Sequence, residues 1–242
     1  MLAGYDHLLR AASRLAWDDA AIDLRADAAA WPRLAGEQRA TIRRLLAGFV
    51  VAESAVAEQL APFEAAASDP QLRACFAAQA EDERRHARFF TRAAAEIAGI
   101  DSAWGARTLA GADVCALFER ELADAALELA TGIGDLSAAV SLYHLVLEGV
   151  AFHAGQQALL DVITQTGGAL PGLQAGVTHV QADERWHVGL GVYCLQTAGA
   201  PTADLTASAR RAAACWGVEV DVEAVLAVHR RRVALLGARA IL

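Results

Sequence analysis

Four long stretches of this chain carry apolar residues at helical spacing, and a glutamate interrupts each stripe in phase. In the first, Ile42, Leu46, Phe49, Val56 and Leu60 share a face with Glu53. In the second, Leu72, Phe76, Phe90 and Ile97 share a face with Glu83 and His86. In the third, Glu148 sits among Leu145, Phe152 and Leu159, and in the fourth Val177 and Val180 lead to Glu184 and His187. A helical stripe of this kind faces a core. An ionised carboxylate left alone there is strongly disfavoured, so each must be protonated, paired or bound to a cation. The stripes demand a fold that gathers four carboxylates and two imidazoles into one interior.

Composition agrees with helices throughout. Apolar residues make up 55% of the chain, only 5 residues are Pro, and alternating β-branched runs are absent. A length of 242 residues suits one substantial domain, 1–242. Helices are expected near 37–66, 70–98, 112–131, 136–166 and 171–198, with two closing helices near 203–216 and 221–238. The breaks are "SDP" at 68–70, "GIDSAWG" at 99–105, "TGIGD" at 131–135 and "TGGALPG" at 166–172. Residues 1–36, punctuated by Pro32, form a lead-in, 37–198 carry the glutamate-bearing helices, and 199–242 close the domain.

A net charge of −8 argues against a nucleic-acid or anionic-membrane surface. The opening "MLAGYDHLLRAASRLAW" lacks the pattern of a signal peptide. No window of about 18 uncharged apolar residues is seen, so no membrane span is expected. Cys75, Cys115, Cys194 and Cys215 are scattered and read as buried thiols in a reducing cytoplasm; their spacing excludes a CxxC site.

Two helices offering a lone Glu and two offering Glu-x-x-His form the inventory of a dinuclear metal-carboxylate four-helix bundle. Each pair supplies one imidazole per metal, and the lone glutamates complete and bridge the two ions. Hard oxygen donors with one nitrogen per metal suit Mn and Fe better than thiolate-preferring metals. One helical Glu-x-x-His alone is more often a solvated face; the argument rests on all four stripes together, in the order Glu, Glu-x-x-His, Glu, Glu-x-x-His. His7, His144, His153, His179 and His229 read as surface or satisfied core residues, His153 lying near Glu148 in sequence.

Several motifs carry a resemblance. Trp17, Ile22, Asp23, Asp27 and Trp31 in the lead-in, then "GFVVAESAVAEQLAPF", "YHLVLEG" and "ADERWH", resemble the small-subunit superfamily of ribonucleotide reductase over about residues 12–200. Within it the chain is most similar to the ligand-binding oxidases that hold a Mn/Fe cofactor. Phe90 stands where radical-type reductase subunits carry a tyrosine. Val56 and Tyr143 stand where the oxidases join a valine and a tyrosine by an ether bond. A regular helix turns Tyr143, five residues before Glu148, well away from it, so the match implies a π-bulge or distorted turn.

The resemblance implies a ferritin-like all-α bundle with flanking helices. It implies a first metal, Mn, on Glu53, Glu83 and His86, and a second, Fe, on Glu148, Glu184 and His187, with Glu83 bridging and di-iron as another loading. Asp183 would accept a hydrogen bond from His86 and link it to Trp17 as an electron-transfer path. O2, a homodimer, and a long-chain fatty acid whose carboxylate bridges the metals are also implied. The chain closes in "RVALLGARAIL", shorter than the family leads one to expect, so part of the ligand cavity or of a dimer contact would be missing or rebuilt. The functional expectation is an O2-activating Mn/Fe oxidase acting on a hydrophobic, fatty-acid-like ligand. One rival is a Mn/Fe reductase small subunit, against which stands the lack of Tyr, Trp or Phe in the last twenty residues. The other is ferritin-like metal storage; its bacterioferritin form binds haem through Met, and Met1 is the only one here.

Overall fold

Helix ends in this protein follow local chemistry. In the computed structural model, which describes residues 4–198 and 205–237, every regular element is a helix. These are α1 (Tyr5–Leu15), α2 (Arg25–Ala30), α3 (Gly36–Gln59), α4 (Ala61–Ala66), α5 (Pro70–Ala98), α6 (Ala103–Ala110), α7 (112–131), α8 (Leu136–Thr164), α9 (Pro171–Ala198), α10 (Thr206–Ala214) and α11 (Val222–Gly237), with short 3-10 turns at Asp19–Ala21 and Trp31–Arg33. Asp69 caps α5 by accepting from the backbone N–H of Gln71 at 2.7 Å and Leu72 at 3.4 Å, and Pro70 fills the first helical position. Gly99, at φ 65°, ends the same helix in the left-handed conformation. The cap of α9 comes from a distant part of the chain. Asp27 is fully buried and accepts from the N–H of Gly172 at 3.0 Å and Leu173 at 2.7 Å. A Cβ on Gly172 would lie 2.3 Å from the Asp23 carbonyl oxygen, so only glycine permits this approach.

The central bundle is α3, α5, α8 and α9. α3 packs on α5, α8 on α9, and α5 on α9. α1 lies across α5 and α9, α6 covers α3, and α10 and α11 lie on the middle of α8. Trp216, just after α10, is buried between Gly48 of α3 and Gly155 of α8. A Cβ at either glycine would come within 2.8 or 2.4 Å of the indole. The indole Nε1 donates to the Ala151 carbonyl at 2.7 Å. The closing segment thus seals the core with one large ring.

Several details differ from expectation. The stretch expected at 37–66 breaks at Leu60, and α4 restarts with Pro62 in its first turn. The region read as a break at 99–105 contains the start of α6, which the Ser102 hydroxyl caps by accepting from Gly105 N–H at 3.2 Å. α10 begins at Thr206 and α11 ends at Gly237; the earlier and later ends expected for them, at 203 and 238, lie outside the described residues. The middle of α8, Ser141–Phe152, is π-helical, the distortion implied around Tyr143 and Glu148, and a second π segment at Ala116–Glu121 in α7 was not foreseen. Two helices, Gly36–Ala66 and Leu136–Thr164, contain 18-residue windows apolar enough by length and composition to cross a membrane, although glutamates interrupt both helices and neither holds an uncharged run of 18 residues, as the sequence reading had it. In each, 67% of the window is buried inside the protein, so the hydropathy reflects bundle helices apolar on most faces. Cys75, Cys194 and Cys215 are buried as expected, Cys115 is only half-buried, and all four are free thiols.

Candidate metal centre

α3, α5, α8 and α9 each aim their interrupting carboxylate at the bundle axis. Glu53, Glu83, His86, Glu148, Glu184 and His187 are all buried. His86 Nδ1 lies 3.3 Å from Glu83 Oε2, 3.6 Å from Glu53 Oε2 and 4.0 Å from Glu184 Oε1. His187 Nδ1 lies 3.1 Å from Glu83 Oε1, 3.2 Å from Glu184 Oε2 and 3.7 Å from Glu148 Oε2. Glu83 therefore turns one oxygen to each imidazole, as a bridge would. Glu184 does the same, which the sequence reading did not anticipate. Glu53 approaches only His86, and Glu148 only His187.

The π-helical turn does what the Tyr143–Glu148 spacing requires. Hydrogen bonding from residue i to i+5 widens the turn and brings residues five apart toward one face. The Tyr143 hydroxyl donates to Glu83 Oε1 at 2.8 Å and accepts from Gln79 Nε2 at 2.9 Å. Gln79 Oε1 pairs with His144 Nε2 at 3.0 Å. His144 is a buried histidine satisfied on this side, and burial pushes its pKa down to about 3. Val56 is buried on α3, and Phe90 stacks on Phe49 with ring centroids 4.4 Å apart. Of the other histidines, His7 and His179 are exposed, His179 stacking on Trp17 at 5.1 Å; His229 is buried and His153 half-buried.

Each imidazole is held from behind by an aspartate. Asp183 Oδ2 accepts from Trp17 Nε1 at 2.8 Å and pairs with His86 Nε2 at 3.0 Å. Asp82 Oδ2 accepts from Trp186 Nε1 at 3.0 Å and pairs with His187 Nε2 at 3.3 Å. The arrangement is crosswise: the aspartate preceding one glutamate holds the histidine of the other pair. Arg85 ties the two together, its Nη2 donating to Asp82 Oδ1 at 2.5 Å and Asp183 Oδ2 at 3.0 Å. The sequence reading named Trp17 and Asp183 but missed Asp82, Arg85, Trp186 and Gln79. The signal for Asp82 was present, since "DE" precedes both Glu-x-x-His histidines.

Burial sets the charges of the centre. It pushes Glu53 up to about 8. It also holds Glu184 well above its usual range, with the charge of Glu148 adding to the effect. For His86 burial works against the charged form, but the hydrogen bond to Asp183 and the nearby carboxylates of Glu53 and Glu83 outweigh it and raise its pKa well above the ordinary value. His187 behaves alike: burial is overcome by Glu83 and then Asp82. Glu83 moves the other way, burial being outweighed by His187 and His86. Both oxygens of Glu53, both of Glu148, Glu83 Oε2 and His86 Nδ1 have no hydrogen-bond partner. Buried acceptors without donors are rare in folded proteins. Oxygen-rich donors, one imidazole in each half, and unsatisfied atoms converging on one interior fit two hard divalent cations.

The family profile described as ribonucleotide reductase, small chain, matches residues 5–215. The chain belongs to the ribonucleotide reductase small-chain family. Its fold is also that of solved R2-like ligand-binding oxidases. The protein from Sulfolobus acidocaldarius is 22% identical, with 97% of this chain and 90% of that one covered, at a TM-score of 0.79. A substituted R2-like ligand-binding oxidase with an aerobically reconstituted Mn/Fe cofactor is 20% identical, with 98% and 94% covered, at a TM-score of 0.76. Another, with an anaerobically reconstituted Mn/Fe cofactor, is 22% identical, with 97% and 92% covered, at a TM-score of 0.75. The ferritin-like bundle with flanking helices that the resemblance implied is thus the fold of this family member.

Proposed function

We propose that this chain is an O2-activating dimetal oxidase. Its ions are Mn on Glu53, Glu83 and His86 and Fe on Glu148, Glu184 and His187, with di-iron as a second loading. The observation that carries the reading is the set of six buried donor side chains that converge from four helices, with Glu53, Glu83, His86 and Glu148 carrying atoms that have no hydrogen-bond partner. The bound metal pair supplies reductive activation of O2. The residues of the chain supply the rest. Asp183 and Asp82 accept from the imidazole Nε2 atoms and leave both Nδ1 lone pairs for the cations. Phe49, Phe90 and Phe152 keep water from the interior. Trp17, Asp183 and His86 form a hydrogen-bonded path by which electrons reach the centre. Phe90 has no hydroxyl to oxidise, which leaves Tyr143 as the phenol touching the carboxylates.

The finer reading is a self-made ether between Tyr143 Oη and Val56 Cβ. One hydrogen leaves each residue, and O2 accepts the two electrons and two protons. Val56 lies one helical turn from Glu53, and its β-C–H is tertiary. Intact mass should fall by two hydrogen atoms on aerobic assembly. Val56→Ala and Tyr143→Phe should each prevent the loss while leaving metal content intact. Unchanged mass after assembly in air favours the reductase-subunit reading instead. A homodimer and a fatty-acid-like ligand rest on the resemblance alone; light scattering tests the first, and a large shell would favour metal storage. Four free thiols support a reducing, cytoplasmic setting.

Elemental analysis tests the centre. The protein should hold two metals per chain, and His86→Ala and His187→Ala should each lose about one equivalent. Two full equivalents in both variants would remove the site.

A further inference from the structure

A cavity of about 310 Å³ opens against Glu148 and Glu184, the outer edge of the His187 half of the centre. Its lining is polar. His153 and Gln156 come from α8, Arg185 from α9 and Arg232 from α11. Val188 is its single aliphatic lining residue. We infer that this cavity takes a small polar carboxylic acid as the external ligand of the centre, in place of the fatty-acid-like ligand that the resemblance alone implies. The inference rests on the dimetal reading above.

Charge carries the argument. In the loaded centre, cations neutralise Glu148 and Glu184, and two guanidiniums remain on the cavity wall. Among the described residues neither Arg185 nor Arg232 has a carboxylate within ion-pair distance. Arg232 is half-buried, and its Nη1 donates to the Gly149 carbonyl. A Cβ on Gly149 would lie 3.3 Å from that nitrogen, so a bare glycine lets the guanidinium settle on the turn that bears Glu148. Its remaining N–H groups are left for a carboxylate, for which a guanidinium offers paired, charge-assisted bonds. Gln156 Nε2 donates to Glu184 Oε1 at 3.3 Å, which leaves the amide oxygen for a ligand O–H or N–H. An acyl chain would instead bury methylenes against arginine, histidine and glutamine, stripping those groups of water without replacing their hydrogen bonds. Ligand sites for apolar molecules are lined mainly by apolar side chains, and this cavity is not.

Calorimetric titration of the metal-loaded full chain with succinate and, separately, decanoate tests the proposal, with metal content measured on every sample. Succinate should bind saturably, and Arg185→Gln and Arg232→Gln should each weaken it by about tenfold or more. Decanoate should bind more weakly than succinate. Arg185 is exposed, so its variant should fold normally and decides the matter even if Arg232→Gln loosens α11. With two metals in place, three results overturn the pocket: no succinate binding, tighter binding of decanoate, or succinate affinity unchanged in Arg185→Gln. Fewer than two metals in the unsubstituted protein overturns instead the centre on which the pocket rests.

Discussion

Asp82 shows how much of the centre depends on residues that touch no cation. It holds His187 through Nε2, receives the Trp186 indole, and anchors Arg85. Partners of this kind fix imidazole tautomer and orientation. Asp82→Ala should weaken metal binding at the His187 position by about 10–100-fold while leaving the His86 position nearer normal. Competition with a chelator, metal by metal, reads this directly; equal loss at both positions would contradict the crosswise arrangement. Protons make a second prediction at this scale. In the metal-free protein Glu53 is raised to about 8 and Glu184 well above its usual value, so both keep protons that the unfolded chain has released. His86 and His187, also raised, add stability that is full below 6.5 and lost as pH rises through their folded values. All four make the metal-free fold weaken as pH climbs from the carboxylate range past neutrality. Glu83, lowered, opposes this only around and below its ordinary value of 4.5. Metal displaces these protons, so its stabilisation grows with pH. The gap in melting temperature between loaded and metal-free protein should be wider near pH 8 than near pH 6; a constant or shrinking gap would contradict the burial of these groups.

At the scale of elements, local signals set most helix ends and tertiary contacts set the rest. Asp69, Pro70 and Gly99 bound α5 by rules visible in sequence. α6 escaped because "SAWG" reads as a break, although Ser102 is a cap followed by a helix. The π turn of α8 was legible only through the resemblance, which asks Tyr143 and Glu148 to reach the same place, and the π segment in α7 had no such signal. α9 draws its cap from Asp27, well over a hundred residues earlier, which no local rule predicts. Asp27→Ala would leave two backbone N–H groups without that acceptor and should cost about 1–2 kcal/mol. Denaturant unfolding of metal-loaded protein measures it; no change would mean that water replaces the carboxylate.

For the whole molecule, the interior was legible and its surroundings were not. Glu53, Glu83, Glu148 and Glu184 had to meet because none is stable alone on an apolar stripe. The pairing of Asp82 with the opposite histidine, the sealing of the bundle by Trp216, and the arrival of Arg232 beside Glu148 join segments that only the folded chain brings together. The central claim is that two cations sit between His86 and His187, spanned by Glu83 and Glu184. Anomalous diffraction at the Mn and Fe edges, on crystals of protein loaded aerobically with both metals, tests it most directly. The account predicts two anomalous peaks about 3.5–4 Å apart, one beside each Nδ1. A single peak, or metal bound away from these six residues, would contradict it.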